Sequence, residues 1–303
     1  MKIYCPLCFT SVAYSRSIWK YEFSELLQCK NCGLVHHLRN DTLHSEQAFT
    51  TYSNTSWGRD FEDVSDSNMD SPDMQQHVAR MEFNLQYFSK FLDTSENDYI
   101  LDIGAGIGLL EFVTEKINSP INNAHLVMIE PVVENYKFLR KRYPKHIAIN
   151  CHIDQIKNAK TTYDAIFCQG VDYLFGDLYE SFKILHELLK PNGLLLISRN
   201  VFIDMPCYFG GKPIVSKQDL FSPNVLINTY FLQEHYKEFL QKNFDIVDEL
   251  LYEENYGEDT TLATGKSFNY ILKKKNLHYD ETPLTETNYL TKYNEILNKL
   301  LDK

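Results

Sequence analysis

The chain has 303 residues, of which 44% are hydrophobic and 14% aromatic, enough for one large domain with a small accessory unit and a well-filled core. A formal net charge of -11 works against binding a phosphate backbone, and no apolar run reaches the about 18 residues that a membrane-spanning helix needs. The amino-terminal stretch Met1-Lys2-Ile3-Tyr4-Cys5-Pro6 lacks the apolar core of a secretory signal, so a cytoplasmic location is expected.

Residues 1–40 carry two paired cysteines, Cys5-x2-Cys8 and Cys29-x2-Cys32-Gly33, on either side of a strand pair predicted around residues 17–23. Cysteines in a chain of this character read as thiols rather than disulfides. Two such knuckles place four thiolates at the spacing of a tetrahedral Zn2+ site, with Cys5, Cys8, Cys29 and Cys32 as ligands and His36 or His37 as a substitute for one of them. An all-cysteine shell leaves no open position for a water, which makes the metal structural. Forty residues bury little apolar surface, so this zinc ribbon is expected to hold its fold through the metal and to melt apart from the rest. The remaining Cys151, Cys168 and Cys207 fall on or just past predicted strands and read as core residues.

Residues 41–94 begin as a polar stretch rich in Ser, Asp and Asn, broken by Trp57-Gly58-Arg59-Asp60-Phe61, and read as a linker or as a lid over a site. A helix follows from Met74 to Leu92, with apolar residues at 78, 81, 85, 88 and 92. Strands are then predicted at 99–103, 125–130, 146–151, 163–168 and 193–199, with helices at 108–118, 132–142 and 177–189 between them. This alternation specifies a parallel sheet covered on both faces.

The join between the first of these strands and its helix, Tyr99-Ile100-Leu101-Asp102-Ile103-Gly104-Ala105-Gly106-Ile107-Gly108-Leu109, puts glycine at every second position of a sharp turn. A dinucleotide fingerprint would need glycine where Leu109 stands, which disfavours NAD. The next strand, Leu126-Val127-Met128-Ile129, closes on Glu130-Pro131.

Together with Tyr163-Asp164-Ala165-Ile166-Phe167-Cys168 and Leu188-Leu189-Lys190-Pro191-Asn192-Gly193-Leu194-Leu195-Leu196-Ile197, these motifs resemble the class I S-adenosylmethionine-dependent methyltransferases over roughly residues 95–275. The resemblance implies an α/β fold with a Rossmann-like, mostly parallel sheet whose last strand is antiparallel, here behind the small zinc ribbon. A helix at 232–242 and the segments around 243–247 and 267–274 resemble its closing elements, and residues 276–303 read as a helical tail. By the same resemblance Asp102, Gly104, Ala105, Gly106 and Gly108 would lie beneath the methionine part of S-adenosylmethionine, and Glu130, followed by Pro131, would accept the ribose hydroxyls. Ile153 and Asp154 would meet the adenine, although Cys151-His152-Ile153-Asp154 departs from the usual Gly-Asp pattern, and Gln169 ends the strand beside the cofactor.

Methyl transfer from a sulfonium is an in-line displacement that chiefly requires positioning, but an alcohol nucleophile must also lose its proton to a base. In open α/β sheets the reacting groups gather at the carboxyl ends of the strands. That selects Gln169, Asp172 and Tyr173 after the fourth strand and Asn200, Asp204 and Tyr208 after the fifth, with Asp172 first as the base and Tyr208, together with His235 on a predicted helix, as further candidates. A zinc ribbon ahead of such a domain resembles methyltransferases of bacterial sugar and polysaccharide biosynthesis, implying a small-molecule or glycan acceptor. The short tail after the last strand favours O- over C-methylation. Ribosomal RNA methyltransferases with a zinc ribbon are the alternative, disfavoured by the acidic charge. A non-catalytic partner protein is a third reading, disfavoured by the intact glycine turn and Glu130. Neither a nucleic-acid nor a membrane partner is expected.

Overall fold

The computed structural model describes residues 4–20, 24–39, 72–117, 119–198, 202–204, 208–209, 212–213, 229–254, 265–276, 278–284 and 289–301. The strands in chain order are β1 (Ser15–Lys20), β2 (Ser24–Cys29), β3 (Val35–Arg39), β4 (Tyr99–Ile103), β5 (His125–Ile129), β6 (Ile147–Ile149), β7 (Tyr163–Gln169), β8 (Leu189–Ser198), β9 (Tyr208–Phe209), β10 (Lys212–Pro213), β11 (Thr229–Tyr230), β12 (Phe244–Glu254) and β13 (Gly265–Lys274). The α-helices are α1 (Pro72–Phe88), α2 (Leu109–Lys116), α3 (Val133–Arg142), α4 (Leu178–Leu188), α5 (Gln233–Asn243) and α6 (Tyr289–Leu301).

Seven strands form the main sheet in the order β12, β13, β8, β7, β4, β5, β6. The pairs β4–β5, β4–β7, β5–β6 and β7–β8 are parallel, and β13 runs antiparallel to both β8 and β12. This is the expected Rossmann-like sheet. From β4 the chain first winds outward to β5 and β6, then returns to β7 and β8 on the other side, so the winding reverses at the carboxyl end of β4. A crevice opens at such a switch point.

Each face of the sheet is covered because the strands are apolar on both sides. Ile100, Ala165, Phe167 and Leu196 pack beneath α1 and α2. Leu101, Ile103, Ile166, Cys168 and Ile197 pack beneath α4 and α5. The phrase Lys190-Pro191-Asn192-Gly193 turns the chain from α4 into β8, with Asn192 taking the left-handed conformation at φ 65°. Among the described residues no helix is long and apolar enough to cross a membrane.

The cysteine-bearing segment departs from expectation. Its three strands extend to a fourth, β11, with Thr229 opposite His36 and Tyr230 opposite Val35. Leu7, Leu26, Leu34 and all four paired cysteines belong to the same apolar cluster as Leu101, Ile103, Tyr236 and Tyr293. This segment therefore does not pack as an independent module, because its buried leucines and valine are completed by α5 and α6. The polar stretch read as a linker or lid lies, for residues 40–71, outside the described residues.

Candidate active site

The glycine turn sits at the carboxyl end of β4, with Gly104, Gly106 and Gly108 all in the left-handed region at φ 67°, 58° and 78°. The three glycines serve different ends. A Cβ on Gly104 would lie 2.6 Å from Val171 Cγ1, and one on Gly108 would lie 2.4 Å from Tyr143 Cε2, so both positions are closed by neighbouring side chains. A Cβ on Gly106 would meet only the Gly104 carbonyl at 4.0 Å. Gly106 thus backs an open cradle in which a ligand can approach the chain directly. The amides of Gly104 and Ala105 donate to the Ile129 carbonyl at 2.9 and 3.1 Å, and the Tyr143 hydroxyl donates to the Gly108 carbonyl at 3.0 Å.

Glu130, at the end of β5, completes the cradle. Its Oε2 accepts the Gly106 amide at 2.8 Å, and its Oε1 accepts the Val132 amide at 2.8 Å and Asn135 Nδ2 at 3.4 Å. The carboxylate is almost wholly buried, and this desolvation raises its pKa against the opposing pull of the Val132 and Gly106 amides. Asn150 Nδ2 bridges the carbonyls of Glu130 and Pro131 at 2.8 and 3.0 Å, which fixes the turn after the acid. Asp102 is also buried, and its carboxyl is pushed well above the usual range by burial first, then by Glu111 and Glu130. Tyr143 and Asn150 were not selected from the sequence, since neither belongs to a motif and each acts through a contact distant in the chain.

Asp102, Ala105, Gly104, Gly106, Gly108, Glu130 and Pro131 are thus brought together. Ile153 and Asp154 lie on a single 3-10 turn just beyond β6, with Ile153 half-buried and Asp154 exposed. Gln169 is one strand over from Gly104, following the pair Ile103 and Cys168. Its Oε1 accepts Asn84 Nδ2 at 2.8 Å and Ser198 Oγ at 3.2 Å, while its Nε2 meets Met81 Sδ at 3.2 Å. Asn269 Nδ2 in turn donates to Asn84 Oδ1 at 2.8 Å, so one buried polar chain ties α1 to β7, β8 and β13.

Asp172 follows β7 and starts a 3-10 turn of its own, whereas the cap of α4 is Asp177, which accepts the Glu180 amide at 3.2 Å. The Tyr236 hydroxyl donates to Asp172 Oδ2 at 2.6 Å. Burial, then Asp172 itself, holds the Tyr236 phenol well above its usual range, so it remains a donor. His235 lies elsewhere, facing α6: it stacks on Tyr289 at 4.4 Å between ring centroids, with Nδ1 3.2 Å from the Tyr293 hydroxyl. Burial lowers its pKa to about 4, which keeps it neutral. Tyr208 falls in the short β9–β10 pair, but its side chain lies outside the described residues.

The four paired cysteines converge. Cys5 Sγ is 3.7 Å from Cys32 Sγ and Cys8 Sγ is 3.5 Å from Cys29 Sγ, and all four sulfurs lie within 4.8 Å of one another. A tetrahedron with Zn–S bonds of about 2.3 Å has sulfur–sulfur edges of about 3.8 Å, so the donor set fits that ion. Four thiolates this close repel one another, and full deprotonation needs a cation among them. His36 and His37 are not part of the group.

Residues 101–197 match the family model described as a methyltransferase domain. Comparison with curated proteins finds no match. Among solved structures, the chain is similar to an S-adenosylmethionine-dependent methyltransferase from Leishmania major, at 20% identity and a TM-score of 0.51, over 75% of this chain and 82% of that one. It is likewise similar to the MccD protein, at 14% identity and a TM-score of 0.50, over 64% of this chain and 97% of that one. At such identities the likeness speaks to fold alone. The glycine turn and the acid ending β5 thus lie together within a methyltransferase domain that spans residues 101–197.

Proposed function

We propose that the enzyme methylates a hydroxyl of a sugar, carried by a nucleotide sugar or a surface glycan, with Asp172 as the general base. The observation that carries this reading is the placement of Asp172. It directly follows Val171, whose side chain closes over Gly104, so its place in the chain is next to the glycine turn at the carboxyl end of β7. A hydroxyl needs a base to take its proton, and a carboxylate held by Tyr236 in a dry setting supplies one. When bound, S-adenosylmethionine supplies a methyl group already activated by the sulfonium. Glu130 would accept the ribose hydroxyls, Gly106 would leave room for the chain to approach, and Ile153 and Asp154 would flank the adenine. Tyr208 is the further candidate for proton transfer. The four cysteines would hold one structural Zn2+. A net charge of -11 supports an acceptor other than RNA.

The test is transfer of labelled methyl groups by purified enzyme. Label should enter a nucleotide-sugar or glycan fraction and not undermethylated ribosomal RNA. Robust labelling of RNA would overturn the sugar reading while leaving methyl transfer intact.

A further inference from the structure

Glu111 occupies the first turn of α2, immediately after the glycine turn, and its side chain is fully buried. Among the described residues, neither carboxylate oxygen has a hydrogen-bond partner in another residue. Glu111 stands three residues after Gly108, in the turn with which α2 leaves the glycine turn. Asp102, on the strand that feeds the turn, is also buried and feels both Glu111 and Glu130. Three buried carboxyl groups thus surround one glycine turn.

An acid near a helix amino terminus is favourable, but an exposed one serves that purpose. Burying it without a donor or a cation costs stability that a glutamine or a leucine at the same place would not forfeit. Groups of this kind mark sites whose counter-charge arrives with a ligand. We propose that Glu111 is an internal counter-charge that draws the positively charged end of the cofactor into the cradle at Gly106. This rests on the binding of S-adenosylmethionine. Two groups of that molecule are cationic, the sulfonium and the amino-acid ammonium.

Calorimetry separates them without knowledge of the acceptor. The probes are S-adenosylmethionine, S-adenosylhomocysteine, which keeps only the ammonium, and 5′-methylthioadenosine, which has neither charge. Glu111→Gln should weaken S-adenosylmethionine by about tenfold or more and leave 5′-methylthioadenosine within about twofold of the parent. A matching loss for S-adenosylhomocysteine assigns the contact to the ammonium, and an unchanged value assigns it to the sulfonium. Glu111→Asp, which retains the charge, should keep the preference for the cationic ligands. Unchanged affinities for all three ligands in Glu111→Gln, or an equal loss for all three, would overturn the inference. A parent protein that binds none of them would instead remove the cofactor reading itself.

Discussion

The ring of Tyr293 in α6 packs directly on the backbone of Gly33 in the second cysteine knuckle: a Cβ there would lie 2.6 Å from Tyr293 Cδ2 and 3.0 Å from Leu290 Cα. The Tyr293 hydroxyl accepts the Leu232 amide at 2.9 Å, at the entry to α5, and lies within hydrogen-bond distance of His235 Nδ1 at 3.2 Å. Gln28 Nε2 donates to Asn294 Oδ1 at 2.9 Å beside it. Asp204 adds a second hold on the same helix start, accepting the Gln233 amide at 3.1 Å. The knuckle, α6 and the first turn of α5 therefore form one packed unit, and α5 carries Tyr236 to Asp172.

Gly33→Ala should lower stability by about 2–4 kcal/mol, since a side chain at φ 85° is strained and this one also overlaps a buried ring. Hydrogen exchange should quicken across residues 289–301. Unchanged exchange there would mean that α6 does not depend on this contact.

Protein purified without chelator should contain about one Zn2+ per chain, and a strong chelator should lower the melting temperature. Because the cysteines share their core with α5 and α6, one transition should move as a whole. Two separated transitions in calorimetry would show instead that the knuckles and the main sheet fold independently.

Glu130→Ala should weaken S-adenosylhomocysteine by at least about tenfold, through loss of a charge-assisted contact and release of the Gly106 amide. Equal affinities for parent and variant in titration calorimetry would remove Glu130 from the binding site.

Asp172→Asn should cut turnover by about 10²-fold or more while cofactor affinity stays near the parent value. A parental rate in this variant would shift the base to Tyr208.

Glu111 links the site to stability. Burial, the main cause, raises its pKa from 4.5 to about 7 in the folded state. The folded chain therefore holds a proton that the unfolded chain releases between those values. The resulting penalty is absent below pH 4.5, grows up to about pH 7 and is constant above it. Relative to the parent, ligand-free Glu111→Gln should gain about 3 kcal/mol between pH 4.5 and pH 8. Denaturation at several pH values reads this directly, and a difference between parent and variant that stays flat with pH would show that Glu111 is not the titrating group.

The glycine turn, the acid ending β5 and the paired cysteines were legible in the chain because each is local. A buried parallel strand is a short apolar run, a sharp turn under a ligand demands glycine, and a metal knuckle closes within four residues. The sequence by itself therefore determined the alternating α/β order, the cradle and the donor set. Only the tertiary structure decided that Gln28 meets Asn294, 266 positions away, that Tyr236 holds Asp172, 64 positions away, and that the Glu111 carboxylate finds no hydrogen-bond partner among the other described residues. Such pairings leave no period or spacing in the chain. They arise when packed layers bring distant side chains to one place, and whether a buried polar group then finds a partner depends on every element around it.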